Sequence, residues 1–220
     1  MKKVYTYTLS VYTPCVSLPA PRAIIHEAAG HDQLLRANAF SVPGHALVRA
    51  EAAGELVRVV PGIYLGASWP RSTLTEAAAW TLRYPVAVAG LLTAAVHHGL
   101  TDAFEQGTWL CVPIGTSVPR SRTTPIHPIQ VTLRWLTPEA DAENGIARVE
   151  AHGVIVRVTG PDRTVIDLWR YPRLVAREHA LAALRRRVAS ADFSVPAFAR
   201  LARHLEAWGR IRPVLEGMLA

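Results

Sequence analysis

The side chains best suited to chemistry in this sequence are cationic, and their spacing suits recognition. His45 and Arg49 stand four apart, which puts both on one face of a helix that can enter a groove. An Arg there can fork onto a base edge, which is the chemistry of DNA readout. Arg58 lies where it can reach a phosphate, and Ser41 stands ahead of the helix as its cap. Bond-making chemistry is poorly supplied by comparison. The sequence has no phosphate loop, no HExxH and no nucleophile elbow. It also has no Lys beyond position 3, the residue type with which a restriction-type nuclease stabilises charge at the scissile phosphate. His97 and His98 are adjacent, so on a helix they point different ways and make a poor metal pair. Cys15 and Cys111 lie far apart and match no ligand spacing. The expectation is a protein that binds rather than catalyses, with no cofactor, no metal and no disulfide.

The elements that must hold these residues are legible on either side of them. Ser41 caps a helix with Pro43 in its first turn and Gly54 as its left-handed stop, and Leu47 and Val48 turn inward. Leu56–Val60 and Ile63–Leu65 are β-prone, and Pro61-Gly62 between them suits a type II turn, so a hairpin follows. Upstream, Pro21 opens a helix through Ala29 that packs with Ile24, Ile25 and Ala28 and stops at Gly30. Asp32 is expected to cap a second helix through about Ala39, carrying Leu34, Leu35 and Ala37. Three helices and a wing make a winged helix-turn-helix domain over residues 21–68, with residues 1–20 as an amino-terminal arm or tail.

Residues 66–72 cluster Gly, Ser and Pro and mark the domain junction. Beyond it a helix is predicted over 73–84, a short strand over 86–89 and a helix over 91–98 stopped by Gly99. Strands follow at 109–112 and 129–135, then a hairpin turning at Gly153 between 148–152 and 154–158. Helices at about 161–170, 175–189, 194–206 and 209–219 close the chain. The fold class expected is α+β: the winged helix-turn-helix domain, then a mixed α/β domain over 73–220 with carboxyl-terminal helices. Asp162 serves as cap or dipole partner of its helix, and Asp167 pairs at helical spacing with Arg163 or Arg170, a structural role.

The chain is 220 residues long, half of it hydrophobic, with a net charge of +7 and a pI of about 10. That balance favours an anionic partner. The charge is not concentrated at the winged helix. Residues 1–68 carry six basic and four acidic side chains, residues 69–174 ten and nine, and residues 175–220 eight and four. Accessory phosphate contacts are therefore assigned to Arg120 and Arg122 in a Pro- and Ser-rich loop, and to Arg185, Arg186 and Arg187 at a helix end. The competing reading is that three consecutive arginines cannot share one helix side and simply complement the dipole. The first residues make a poor signal-peptide core, and no run approaches membrane-spanning length without a charge or breaker, so a cytoplasmic protein with no membrane partner is expected.

From Leu91 onward the motifs Leu91–Thr101, Trp109–Gly115, Gly153–Val158, Pro161–Tyr171, Ala180–Leu184 and Arg212–Glu216 occur in an order and spacing that resembles the AbiEi family. These are the antitoxins of abortive-infection type IV toxin–antitoxin systems, which act in phage defence. The winged helix in front is similar to that family's amino-terminal domain, so the resemblance covers nearly everything after Pro21. The family usually has Ser where Thr93 stands and an aromatic or apolar residue where His97 stands. The resemblance implies a transcriptional autorepressor that binds double-stranded promoter repeats through its winged helix. Its second domain would counter a nucleotidyltransferase-like toxin, whether or not the two proteins touch. The alternative is a stand-alone winged-helix transcriptional regulator or accessory DNA-binding protein without a toxin.

Overall fold

A computed structural model describes residues 21–37, 42–103, 107–118 and 124–220. Residues 1–20, where the arm or tail is expected, lie outside them, as do Ser41, Arg120 and Arg122. Helix α1 spans Pro21–Ala29, as its Pro and the following Gly30 predict. The second helix expected after Asp32 is absent from residues 32–37. Leu35–Arg36 forms strand β1 instead, pairing antiparallel with Tyr64 and Ile63. The reason lies in two adjacent leucines. Leu34 is buried in one hydrophobic cluster and Leu35 in another. Consecutive residues point to opposite sides only in an extended chain, so tertiary burial overrides the helical pattern.

Helix α2 spans Gly44–Ala52, with Pro43 at its amino-terminal cap position in an extended conformation (φ −59°, ψ 136°) rather than inside the first turn. Gly54 provides the left-handed stop at φ +75°. Strands β2 (Leu56–Val60) and β3 (Ile63–Gly66) form the hairpin, and Gly62 takes the φ of +77° that its turn requires. The first sheet has the order β1–β3–β2. The amino-terminal unit is thus two described helices and three strands.

Residues 66–72 do not behave as a free linker. A side chain at Gly66 would stand 2.3 Å from the Ala29 carbonyl oxygen, and the Trp69 indole donates to that oxygen at 3.1 Å. Helix α3 (Thr75–Thr81) follows, shorter than predicted, then strand β4 (Val88–Ala89) and helix α4 (Leu91–His97). Strands β5 (Thr108–Pro113), β6 (Ile126–Val131), β7 (Ile146–Ala151) and β8 (Val154–Thr159) complete a second sheet of order β6–β5–β4–β8–β7. It is mixed: β4 pairs antiparallel with β5 and parallel with β8, while β5 and β6 run parallel. Strand β6 begins earlier than predicted, and Leu133–Trp135 is a 3-10 turn. Its edge position lets β6 accommodate Pro128. Helices α5 (Pro161–Arg170), α6 (Arg177–Val188), α7 (Val195–His204) and α8 (Trp208–Leu219) close the chain as predicted.

The hydrophobic clusters do not follow the sequence junction. Ile25, Leu35, Leu47, Leu56 and Tyr64 form a small core inside the amino-terminal unit. The other side of its hairpin, Val59, Val60, Ile63 and Leu65, packs with Trp80 and the alanines of α3 and with Val156 and Val158 of β8. The wing therefore shares a core with the second sheet. Helices α4 to α8 enclose the remaining cluster around Ile166, Phe198 and Leu215. No helix of the described residues is long and apolar enough to cross a membrane.

Candidate nucleic-acid interface

Helix α2 is fixed by Leu47 and Ala50, buried against the small core, and that choice of buried stripe decides what its other face offers. His45, Val48 and Arg49 are exposed together on that face. Val48, expected to turn inward, is 51% exposed, because one residue beyond Leu47 the helix has already rotated it away from the core. Among the described residues, neither His45 nor Arg49 makes a side-chain hydrogen bond or an ion pair. Two unpaired polar groups around an exposed apolar one can read a major groove, since an aliphatic side chain there meets thymine methyl groups. Arg49 also stands on the rim of a cavity of about 370 Å³ between α1 and α2. Arg22 and Glu55 share that rim over a floor of Ile25, Ala46 and Ala50.

Arg58 is less free than its position in the sequence suggests. Its guanidinium donates to Glu51 Oε2 at 2.6 Å and lies 5.5 Å from the centre of the Tyr64 ring. The Glu51 bond pushes its already high pKa further up. Both partners are part-exposed, so the pair is an exchangeable one that a phosphate can displace. At the turn of the wing, the Pro61 carbonyl accepts from Arg83 Nη2 at 2.5 Å, and Arg83 belongs to the segment just after α3. Arg36, Ala37, Gly62, Arg83 and Tyr84 line a second cavity of about 270 Å³ there.

The accessory arginines divide sharply. Arg185 is exposed. Arg186 binds the Asp102 carboxylate and the Gly99 carbonyl, and that guanidinium holds the Asp102 carboxyl below the usual carboxylate range. Arg187, assigned to phosphate from the sequence, is buried. It donates to Asp162 at 2.5 Å, to Asp192 at 2.7 Å and to Ser190 at 2.5 Å. A buried cation with three satisfied partners is a structural cross-link, so the triplet is not a joint phosphate contact. Asp162 serves as partner to Arg187, and the α5 cap position is Gly160, with no side-chain cap bond. Asp167 pairs with both of its candidates, Arg163 at 3.2 Å and Arg170 at 2.8 Å.

Three groups stand in the hydrogen-bond order that activates a hydroxyl nucleophile. Asp32 Oδ1 is 2.5 Å from His152 Nδ1, and His152 Nε2 is 2.7 Å from Thr75 Oγ1. Thr75 is fully buried, and neither cavity reaches any of the three. The trio ties the amino-terminal unit to the β7–β8 turn, where the Leu34 amide also donates to the His152 carbonyl at 3.1 Å. That turn holds His152 at φ +52° and Gly153 at φ +72°. Asp32 therefore holds His152 and caps no helix. His97 and His98 are likewise engaged. His98 Nε2 meets the Thr159 carbonyl at 2.7 Å, and His97 Nδ1 lies 3.2 Å from Thr73 Oγ1. Burial lowers the pKa of both. The Cys111 thiol, also buried, is pushed up to about 12 and is no nucleophile at neutral pH.

The sequence reading missed Arg22, Arg36, Arg83 and the exposure of Val48. Arg36 was hidden by the helical reading of its segment, and Arg83 by its distance in sequence from the wing it touches. No family model matches this chain, and no curated protein matches it. Its fold is similar to the crystal structure of the RV2827C protein from Mycobacterium tuberculosis, with a TM-score of 0.59 and 16% identity over 90% of this chain and 77% of that one. At that identity the likeness shows a shared α+β fold and nothing further.

Proposed function

We propose that this protein is a DNA-binding transcriptional autorepressor and the antitoxin of a type IV, AbiE-like toxin–antitoxin system. The observation that carries the DNA part is the exposed face of α2, where His45, Val48 and Arg49 stand together beside a hairpin wing, with no side-chain partner among the described residues. The buried arginines Arg157 and Arg187 spend their donors inside the protein; this face leaves its donors to an outside acceptor. The antitoxin part rests on the ordered motifs from Leu91 to Glu216 and their resemblance to the AbiEi family. Physically those motifs build the core: Arg163, Thr164 and Asp167 of Pro161–Tyr171 are all buried.

The test has two arms. Purified protein is titrated against a duplex from immediately upstream of its own reading frame and against a scrambled duplex of equal length. Tighter binding to the upstream duplex is expected; equal binding would remove the repressor reading. Co-expression with the product of the adjacent downstream frame then tests antagonism. Rescue of growth supports the antitoxin, and a downstream product unrelated to nucleotidyltransferases would leave a lone regulator.

A further inference from the structure

The cavity at the wing turn joins the two regions of the chain through their charges. Arg36 comes from β1 in the amino-terminal unit, Pro61 and Gly62 are the turn itself, and Arg83 and Tyr84 come from the segment just after α3. Each guanidinium already spends one donor on a backbone carbonyl. Arg83 Nη2 bonds to Pro61 at 2.5 Å, and Arg36 Nη1 to Leu82 at 3.4 Å. A guanidinium has five N–H donors, so these bonds hold the two groups in place and leave most donors unspent. Arg83 is further steadied 5.8 Å from the centre of the Trp80 ring, whose side chain is fully buried. Among the described residues, no carboxylate pairs with either arginine, although both are exposed. Nine arginines of the second region form ion pairs among the described residues, whereas Arg36 and Arg83 line one cleft together with no carboxylate between them.

We infer that Arg36 and Arg83 form a phosphate-binding cleft at the wing turn, and that its occupant is the phosphodiester backbone of the DNA engaged by α2. This rests on the DNA-binding reading above and gives the second region a direct part in it. The phosphate contacts that the sequence placed at Arg185–Arg187 would then come from β1 and from the segment just after α3, a helix that packs against β2, whereas α6 packs on α5. Each guanidinium can fork onto one phosphate, so the pair can neutralise two. The contact carries no base information, so it sets affinity and register while α2 sets sequence preference.

The experiment uses the full chain, because the wing shares its core with the second sheet. Wild type, Arg36→Gln and the Arg36→Gln/Arg83→Gln double variant are titrated with the upstream and scrambled duplexes over a series of KCl concentrations. Neutralising one phosphate contributes a slope of about −0.9 in log K against log salt. The expected result is a slope shallower by about 0.9 for the single variant and about 1.8 for the double, with the same fractional loss on both duplexes. If the double variant has a lowered thermal midpoint, Arg36→Gln alone decides, since it leaves the Pro61 bond intact. Slopes equal to wild type, while Arg49→Ala still weakens the upstream duplex, would overturn the cleft and leave the DNA-binding reading standing. Wild type binding neither duplex would overturn both. Inorganic phosphate that raises the thermal midpoint of wild type but not of the double variant, with unchanged DNA slopes, would show a free-anion site and overturn the DNA assignment.

Discussion

Arg49 and Arg163 are the same residue type doing opposite work. Arg49 stands exposed on α2 with no partner among the described residues, whereas Arg163 is fully buried and donates to Asp167, the Trp135 carbonyl and the Asn144 carbonyl. The contrast extends to the regions around them. In the second region Arg157 is buried on Asp141 and on the carbonyls of Val86 and Leu136, and Arg187 on Asp162 and Asp192. There arginine replaces apolar packing with fixed donors that tie loops to the sheet. In the amino-terminal unit the apolar core is small and closed by Leu47, Leu56 and Tyr64, and the arginines stay outside it. Positive charge in this chain is therefore not a map of its binding surface. A charge counts toward an outside partner where the fold leaves it unpaired or holds it only in an exposed, exchangeable pair.

The sharpest way to test this division is to break each kind of arginine in turn. Asp167→Ala leaves Arg163 and Arg170 without their carboxylate in a buried setting. The expected loss is about 3–5 kcal/mol of stability, read by urea denaturation. A loss under about 1 kcal/mol would mean that this network is not what holds α5 in place. Arg49→Ala should do the reverse: cost about 1–3 kcal/mol in binding to the upstream duplex, relax discrimination against the scrambled one, and leave the thermal midpoint unchanged. An equal loss on both duplexes would reduce Arg49 to a phosphate contact.

A smaller effect separates the two regions by pH. Burial holds the pKa of His97 and His98 below the ordinary value. As the pH falls through about 6.5, the unfolded chain takes up protons that the folded chain refuses, so their stabilising contribution is complete above that pH and declines below it. The urea midpoint should therefore fall between about pH 7.5 and 5.5, and fall less in His98→Gln. An identical drop in the variant would assign the effect to other groups. The smallest effect expected is that of Arg185→Ala. With Arg185 exposed, stability should change by less than about 0.5 kcal/mol and the salt dependence of DNA binding not at all. A shallower salt slope would restore the helix-end arginines as phosphate contacts.

Much of this molecule is local and so was legible in one dimension. Pro21 and Gly30 bound α1, and Pro61-Gly62 turns the hairpin. His152-Gly153 turns β7 into β8, and the spacing of Asp167 from Arg163 and Arg170 pairs them, because each of these depends on residues a few positions apart. The same holds for the face shared by His45 and Arg49. What the chain order could not reveal is which side of each element finds a distant partner. Leu34 and Leu35 read as one helical stripe until two separate cores claim them, and only then is the segment a strand. Asp32 looks like a cap until His152, 120 residues away, takes its carboxylate. Arg187 looks like a free cation until Asp162 arrives from α5, and Arg83 lies far from the wing until α3 packs behind it. Short-range geometry is written in the backbone's own periodicities. Pairing across long stretches is decided by burial, which exists only once the cores have closed.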